Sequence, residues 1–284
     1  MPETVYLNGR FLHAAEAKVS VFDRGLLFAD AIYEVCGVID GKLIDFPGHM
    51  ARLDRSLSEM GMTCPLDHDG ILDVMRRLVA AEGVTEGLVY MQFTRGSSGD
   101  RDFLPSGEEA PTVFGFAQHK SEAFRAEIEN GIHMVSAPDQ RWRRRDIKTV
   151  GLMGSVFAKM AARDAGGQEA LLHEDGIVTE GAATSFFFVR DGRLVTRPLS
   201  DSILHGCTRK ALIALVAEHG LAVDERLFTL AEAKAAEEAF LTGASTYVCP
   251  VLSIDAATFG DGRPGSLTRR LQTIYVDLAR ESAI

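Results

Sequence analysis

The sequence has few of the residues that mark metal sites and disulfide frameworks. Its four cysteines, Cys36, Cys64, Cys207 and Cys249, lie far apart, form no CxxC pair and have no histidine cluster beside them. This spacing predicts neither a zinc site nor a set of disulfide bonds, so no metal ligand is assigned. Such a use of cysteine fits a reducing compartment, and we therefore expect a cytoplasmic protein.

Several common functional motifs are also missing. No apolar run approaches the roughly 20 residues that a membrane-spanning helix needs, and MPETVYLNGRF lacks the basic and apolar pattern of a secretory signal. The sequence contains no GxxxxGK loop, GxGxxG fingerprint, GxSxG elbow or HExxH helix. Nucleotide-binding, hydrolase and zinc-protease interpretations therefore start without support, and no membrane partner is expected.

The charge balance argues against a nucleic-acid partner. The chain has 284 residues with a formal net charge of −10, and its 46% hydrophobic and 25% charged residues are ordinary for a globular protein. An acidic surface repels phosphate backbones. One basic run, RWRRR at 141–145, opposes this trend, but it stops at Asp146 and is followed by Lys148 between apolar neighbours.

Turn and helix signals alternate along the chain. Asn8-Gly9, Asp40-Gly41 and Asp191-Gly192 each separate apolar runs and predict tight hairpins. Apolar residues at three- and four-residue intervals predict helices in HMARLDRSLSEMG, GILDVMRRLVAAEG, VGLMGSVFAKMAARDAGG, TRKALIALVAEHG and SLTRRLQTIYVDLARES. This mixture favours an α+β fold over a regular βαβ series. The polar stretch at 117–131 is interpreted as the connection between a small N-terminal domain, residues 1–120, and a larger C-terminal domain, residues 121–284.

Four places in the sequence have residue types that support chemistry. Lys148 lies in an extended DIKTV segment, where restricted solvent access favours a nucleophilic amine. Glu180 stands beside small residues that admit a flat ligand. Cys207 and Thr208 open a helix whose N-terminus suits a phosphate, and Arg52 offers a planar fork for the same group. Taken singly, each also has an ordinary explanation as a surface lysine, a turn glutamate, a helix N-cap or a surface arginine.

Together these residues are the parts that pyridoxal 5′-phosphate (PLP) requires. Their order and surroundings resemble the class IV aminotransferases (PLP fold type IV), and the D-amino-acid transaminases in particular. The resemblance runs from about residue 5 to about residue 277. Six ordered blocks carry it: FDRGLLFADAIYEVCGVIDGKL, HMARLDRSL, VYMQFTRG, RWRRRDIKTVGLMGSVFAK, GIVTEGAATSFFFVRDGRLVT and SILHGCTRKALI.

The resemblance implies the fold, the cofactor and its ligands. The fold would be D-amino-acid aminotransferase-like, with a smaller N-terminal α/β domain and a larger C-terminal pseudo-barrel domain that carries the cofactor lysine. Lys148 would bind PLP covalently and move the substrate proton, Glu180 would accept the pyridine N–H, and Leu204 would pack against the ring. The residues implied at the phosphate are Arg52, Cys207, Thr208, Ala244 and Ser245. Ala244 departs from the threonine that family members often place there, and Ser245 or Thr246 would compensate.

On the substrate side the resemblance implies Tyr33 but leaves the carboxylate ligand open. In the D-amino-acid transaminases, the loop after the TRG strand supplies an arginine and a histidine for this carboxylate, whereas the matching positions here are Asp100 and Asp102. Arg101 is one position away. The alternatives are that Arg101, Arg144 or Arg143 binds the carboxylate, or that the substrate needs less of such a clamp, because two aspartates would repel an α-carboxylate.

The resemblance predicts a transaminase that moves an amino group between a D-amino acid, such as D-alanine, and a 2-oxo acid such as 2-oxoglutarate. A branched-chain aminotransferase, an (R)-selective amine transaminase and an aminodeoxychorismate lyase are the alternatives within the same fold. The family also implies a homodimer, and it places the arginine run at the border of the site or of an interface, not on nucleic acid.

Overall fold

The structure is a computed structural model that describes residues 2–284, and the chain divides into two compact units. The first unit is the chain up to Lys120 together with Ile147–Gly151 and Ser282–Ile284. The second unit consists of Ser121–Asp146 and Leu152–Glu281. The short segment that contains Lys148 therefore packs with the first unit, although the chain on both sides of it belongs to the second.

The first unit is an antiparallel sheet with a helical layer. Its strands pair in the order β2-β1-β6-β5-β3-β4. Its elements are β1 Thr4–Leu7, β2 Arg10–His13, a 3-10 turn at Ala14–Glu16, α1 Arg24–Phe28, β3 Ala31–Ile39, β4 Lys42–Leu43, α2 Phe46–Met60, α3 His68–Glu82, β5 Gly87–Ser97 and β6 Ala110–His119.

Side chains along β3 alternate between the two faces of this sheet, and the two faces differ in burial. Ile32 and Cys36 are fully buried and share one apolar core with Met50 of α2 and Met75 of α3. Because successive side chains on a strand point to opposite faces, Tyr33 lies on the other face, where it is only half-buried. The sheet thus packs its helices on one face and leaves Tyr33 accessible on the other.

The second unit is built on a mixed sheet with the strand order β12-β11-β10-β13-β14-β7-β8-β9, and β15 pairs with β14. The pairs β11–β12, β14–β7 and β7–β8 are parallel. Its elements are α4 Glu122–Asn130, β7 Ile132–Pro138, α5 Met153–Asp164, β8 Glu169–Glu174, β9 Ile177–Gly181, β10 Ser185–Arg190, β11 Arg193–Thr196, α6 Cys207–Glu218, β12 Val223–Glu225, α7 Leu230–Lys234, β13 Glu238–Gly243, β14 Tyr247–Ile254, β15 Ala257–Thr258 and α8 Ser266–Ser282.

The local predictions agree with these elements. Each predicted hairpin turn has positive φ at both central residues, as at Asp191 (φ 51°) and Gly192 (φ 68°), which join β10 to β11. The five predicted helices are α2, α3, α5, α6 and α8. Antiparallel hairpins and helices in one chain confirm the α+β prediction. Over residues 2–284, no helix is both long enough and apolar enough to cross a membrane.

Candidate active site

Lys148 is fixed to β3 by backbone hydrogen bonds. The carbonyl of Lys148 accepts a hydrogen bond from the Tyr33 N–H at 3.0 Å, and the Val150 N–H donates to the carbonyl of Ala31 at 3.1 Å. Thr149 also forms an isolated antiparallel bridge with Ile32. These bonds hold Lys148 beside the strand, and its side chain is half-buried. The Thr149 N–H also donates to the Ile147 carbonyl at 2.9 Å, so the chain makes a tight turn at Lys148 and the segment is not extended throughout, contrary to the sequence prediction.

The amine of Lys148 lies on the aromatic face of Tyr33. Its Nζ is 4.2 Å from the centre of the Tyr33 ring, within the range of a cation–π contact. Tyr33 stacks on Tyr90, which stacks on Phe116, with ring centres 5.3 and 5.1 Å apart. The Tyr90 hydroxyl donates to Oε1 of Gln92 at 2.7 Å, and burial, with a smaller contribution from Tyr33, raises the pKa of Tyr90. The amine of Lys148, the predicted nucleophile, therefore packs against the first ring of a stack of three aromatic side chains.

Arg52, predicted as a phosphate ligand, is part of a buried ion pair. Its Nε and Nη2 donate to the two carboxylate oxygens of Glu34 at 2.8 and 2.7 Å, and His49 Nδ1 lies 2.7 Å from Glu34 Oε2. Burial alone would raise the pKa of Glu34, but the charge and hydrogen bonds of Arg52, followed by those of His49, hold this pKa well below its usual range. The guanidinium plane is thus fixed in a two-point contact.

The loop after β5, within the first unit, is held in place by Arg24 of α1. Nη1 and Nη2 of this buried arginine donate to the carbonyls of Asp102 and Phe103 at 2.6 and 2.9 Å, and its Nε pairs with Asp30 at 2.8 Å. The guanidinium of Arg101, one of the predicted substrate ligands, lies about 5 Å from the ring centres of both Phe28 and Phe103. Asp100 and Asp102 are exposed. The loop therefore presents a cation with two aromatic rings.

In the second unit, Glu180 is a buried carboxylate at the end of β9. Its Oε1 accepts hydrogen bonds from Arg141 Nη1 at 2.8 Å and from the Leu204 N–H at 3.0 Å. Within residues 2–284, its Oε2 accepts none. Burial raises the pKa of Glu180, although the charge and hydrogen bond of Arg141 oppose this. One carboxylate oxygen of a residue with only 3% exposure is left for a further partner.

The start of α6 is a second place where polar groups converge. The helix begins at Cys207 after Gly206, no described side chain caps it, and its second residue, Thr208, is buried. The hydroxyls of Thr184 and Thr242 are buried without a hydrogen-bond partner in residues 2–284. A Cβ at Gly206 would lie 2.9 Å from Ser185 Oγ, so glycine permits this close approach. Free backbone N–H groups and hydroxyls of this kind suit an anion.

The two residues predicted in the β13–β14 connection lie in a turn. Ala244 and Ser245 are half-buried and follow Gly243, where β13 ends. The next residue, Thr246, has its hydroxyl 3.4 Å from the position of a Cβ on Gly243. Ala244 itself adds no hydrogen-bonding side chain to this turn.

Comparison with known proteins identifies the family. The family model for amino-transferase class IV matches residues 31–254. The chain belongs to this family. The D-alanine aminotransferase of Staphylococcus haemolyticus is 36% identical over 268 residues, which cover 94% of this chain and 95% of that protein.

Solved structures of the family have the same fold. The branched-chain amino acid aminotransferase of Escherichia coli superimposes with a TM-score of 0.92 at 25% identity, covering 98% of this chain and 95% of that one. The branched-chain aminotransferase of the archaeon Thermoproteus uzoniensis, solved with norvaline, gives a TM-score of 0.85 at 26% identity, covering 97% of this chain and 94% of that one. The predicted aminotransferase of fold type IV is thereby confirmed.

The arginine run of this aminotransferase is largely paired with carboxylates. Arg141 contacts Glu180, and Arg145 donates to Glu174 at 2.7 Å. Arg144, predicted as a possible substrate ligand, binds both oxygens of the buried Asp146 at 3.0 Å. Arg143 is exposed. At least three of the four guanidinium groups therefore already have acidic partners within the chain.

Sequence reasoning misses several of the groups that position these side chains. The sequence presents Arg141 only as part of a basic run, and its patterns do not single out Asp139, Glu34 or Arg24. Only Glu34 leaves a usable signal, because a glutamate in phase with the buried Ile32 and Cys36 requires a buried cation. Glu180, one of the two carboxylate partners of Arg141, is 39 residues away in the sequence, and no local pattern indicates this contact.

Proposed function

We propose that this class IV aminotransferase uses PLP to move an amino group from a D-amino acid, such as D-alanine, to a 2-oxo acid such as 2-oxoglutarate. The single observation that carries the proposal of a bound cofactor is Glu180, a buried carboxylate with one oxygen left for a partner. The reaction would run as two half-reactions, in which the donor leaves its nitrogen on the cofactor and the acceptor collects it.

The groups in the second unit fit the chemical demands of PLP. A pyridine N–H needs an ionised acceptor, and Glu180 Oε2 is an oxygen of that kind. A phosphate needs several donors, and the uncapped start of α6 with Thr208 supplies them, with the hydroxyls of Thr184 and Thr242 also unpartnered among the described residues. Arg52, Cys207 and Ser245 complete the proposed phosphate ligands, and Ala244 contributes its backbone.

Each proposed catalytic group has a separate task. When bound, PLP supplies an electron-withdrawing ring that takes up the electron pair released at the substrate Cα. Lys148 holds the cofactor through Nζ and, once released, moves the proton at the substrate Cα. The Tyr33 ring beneath Nζ limits the directions in which this amine points. Leu204 holds Glu180 through its backbone N–H, and its side chain is proposed to pack on the ring.

The similar proteins differ in the amino donor that their names indicate, D-alanine for one group and branched-chain amino acids for the other. The D-alanine aminotransferase match is closer in sequence, at 36% identity, whereas the Escherichia coli branched-chain enzyme matches at 25%. The high structural similarity to the latter makes a branched-chain donor the second candidate. The carboxylate of either donor would be bound by Arg101 or Arg144, of which Arg101 is exposed and Arg144 is already paired with Asp146.

The active form is proposed to be a homodimer. Helix α5 exposes an apolar stripe at helical spacing, formed by Met153, Val156, Phe157 and Met160, which are 42–58% exposed. A contiguous apolar surface of this kind marks an interaction site more often than a free surface. A second copy of this chain is the proposed partner, in keeping with the oligomers that the family implies.

Replacing Lys148 tests the covalent assignment. Lys148→Ala is expected to abolish transamination and to remove the borohydride-reducible label that PLP leaves on the wild-type chain. Lys42→Ala changes an exposed lysine at the start of β4, just after a hairpin turn, and serves as the control, with activity and labelling unchanged. Peptide mapping of the reduced label identifies the lysine, and a label on any lysine other than Lys148 contradicts the proposal.

The donor is tested by a half-reaction screen. The protein loaded with PLP is mixed with D-alanine, L-alanine, L-leucine or (R)-1-phenylethylamine, and conversion of PLP to pyridoxamine 5′-phosphate is followed by absorbance. We expect D-alanine to react fastest by at least tenfold. Faster conversion by L-leucine would instead favour the branched-chain activity, and release of pyruvate from aminodeoxychorismate would favour the lyase.

A further inference from the structure

Arg141 is a buried arginine that bridges two carboxylates in the second unit. Its Nη1 is 2.8 Å from Glu180 Oε1, and its side chain is 11% exposed. On its other edge, Nε and Nη2 donate to the two oxygens of Asp139 at 3.0 and 2.7 Å. Arg141 is not among the residues proposed to bind PLP or the substrate.

Asp139 fixes the orientation of this guanidinium. Its side chain has no exposed surface, and its Oδ2 accepts a hydrogen bond from Thr179 Oγ1 at 2.7 Å. Its Oδ1 also accepts the backbone N–H of Arg141 at 3.1 Å. Because a guanidinium is planar, two parallel bonds to Asp139 leave Nη1 with one direction, and that direction is toward Glu180.

The pairing decides which oxygen of Glu180 remains available. Arg141 Nη1 and the Leu204 N–H both bind Oε1, so the carboxylate cannot rotate without losing two hydrogen bonds. Oε2 is therefore the oxygen that stays open to a ligand. A pyridine N–H would meet a preoriented acceptor, which avoids the cost of ordering a free side chain.

The charges around Glu180 also matter for its protonation state. Burial raises the pKa of Glu180, the charge and hydrogen bond of Arg141 lower it, and the charge of Asp139 raises it. Arg197 donates to the Val178 carbonyl at 2.6 Å, and its pKa is lowered, chiefly by burial, with the charge of Glu180 among the smaller opposing contributions. Without Arg141, the hydrogen bond from the Leu204 N–H would still oppose burial and the Asp139 charge, but the largest opposing contribution would be lost and the neutral acid would be favoured more than in the wild type.

We infer that Arg141, held by Asp139, is a positioning residue that keeps Glu180 ionised and leaves its Oε2 free for the pyridine nitrogen of PLP. The inference rests on the proposed function, in which Glu180 accepts that N–H. Its consequence is that the proton on the ring nitrogen depends on an arginine that does not itself touch the cofactor. The RWRRR segment thus contributes a specific contact, not a general basic surface.

Two measurements on Arg141→Gln test this role. In protein without PLP, 13C-labelled glutamate carboxyls are titrated by NMR, with Glu180→Gln used to assign the Glu180 signal. Loss of the neighbouring cation is expected to raise the Glu180 midpoint by about one to three pH units. In protein loaded with PLP that is 15N-labelled at the ring, the wild-type nitrogen is expected to be protonated at neutral pH, and that of Arg141→Gln unprotonated.

The control variants separate this contact from a general loss of charge. Arg226→Gln removes another arginine of the second unit that bridges two carboxylates, Asp224 and Glu232, and should leave both signals as in the wild type. Arg141→Lys keeps the charge but cannot bind Asp139 through two parallel bonds. It should shift both signals in the same direction as Arg141→Gln, by less, and it provides the comparison if Arg141→Gln fails to fold.

The outcomes distinguish this inference from the proposed function. If the wild type binds PLP at Lys148 but both signals are unchanged in Arg141→Gln and Arg141→Lys, the role of Arg141 is overturned and the proposed function stands. If the Glu180 midpoint rises in Arg141→Gln but the wild type binds no PLP, the proposed function is overturned, and with it the link from Arg141 to a ring nitrogen. Shifts in both signals support the inference.

Discussion

Glu34 and Glu180 are both buried carboxylates that contact an arginine, but they differ in how many of their oxygens are paired. Both oxygens of Glu34 are bound, by Arg52 and His49, and its pKa is lowered. Glu180 has only Oε1 bound within the described residues, and its pKa is raised. A buried carboxylate whose two oxygens are both paired contributes to the stability of the fold. One with an unpaired oxygen can still accept a hydrogen bond from a ligand.

The buried pair of Glu34 makes a prediction about stability. Glu34→Gln removes the carboxylate that pairs with the buried Arg52, and breaking such a pair costs about 3 kcal/mol or more. We expect the free energy of unfolding, measured by urea denaturation near pH 7, to fall by about this amount. Asp73→Asn, which removes the carboxylate of an exposed pair with Arg77, should change it by less than about 1 kcal/mol. Equal effects of the two variants would contradict the prediction.

The same residue predicts a pH dependence. A carboxylate whose folded-state pKa is lowered contributes stability that is present above its unfolded pKa, about 4.3, and is lost as the pH falls toward the folded value. The wild type should therefore lose more unfolding free energy than Glu34→Gln between pH 5 and pH 3, as determined by urea denaturation at each pH. Parallel curves for the two proteins would show that Glu34 is not the group responsible.

At the scale of elements, short sequence patterns predict the hairpin turns and the helices, because these structures depend on residues close together in the sequence. Asx-Gly pairs predict hairpins because those residues tolerate positive φ, and the spacing of apolar residues predicts the helices. Strand β7, with parallel partners on both sides, is not predicted. Its neighbours β8 and β14 lie far apart in sequence, and no turn signal joins strands paired in this way.

Helix α6 carries a prediction about the cofactor. Thr208 is buried in the first turn of this helix and is a proposed ligand of the PLP phosphate. On that proposal, Thr208→Ala should remove one hydrogen bond to the phosphate. A hydrogen bond to a charged group is worth about 2 kcal/mol, or roughly a 30-fold loss of affinity. Titration of the cofactor-free protein with PLP measures this loss, which should be absent when pyridoxal, without phosphate, is the ligand.

The comparison protein for α6 is Thr273→Ala, which changes an exposed helical threonine in α8. It should bind PLP and pyridoxal as the wild type does. A Thr208→Ala variant that loses affinity for both ligands equally would show that the helix start is disturbed as a whole and that its hydroxyl does not bind the phosphate.

At the scale of the whole molecule, the ordered blocks along the sequence predict the family, while the positions that depend on distant pairing escape prediction. Lys148 and Glu180 can be singled out because each lies in a distinctive block. The contacts of Arg52 with Glu34 and of Arg141 with Glu180 cannot, because these carboxylates come from other elements brought close only by the fold. The chain has a net charge of −10, so carboxylates outnumber basic side chains. Arg141, Arg144 and Arg145 are each paired with one of these carboxylates.

The exposed apolar stripe on α5 leads to a prediction about the oligomeric state of the protein. Phe157 is 55% exposed at the centre of the stripe, and a charge introduced there would have to be buried if a second copy covered it. If the proposed dimer forms through this stripe, Phe157→Glu should shift the protein from dimer to monomer, as measured by size-exclusion chromatography with light scattering. Leu227→Glu alters a side chain that is 56% exposed outside the stripe and should leave the mass unchanged. A Phe157→Glu protein that stays dimeric would place the interface on another surface.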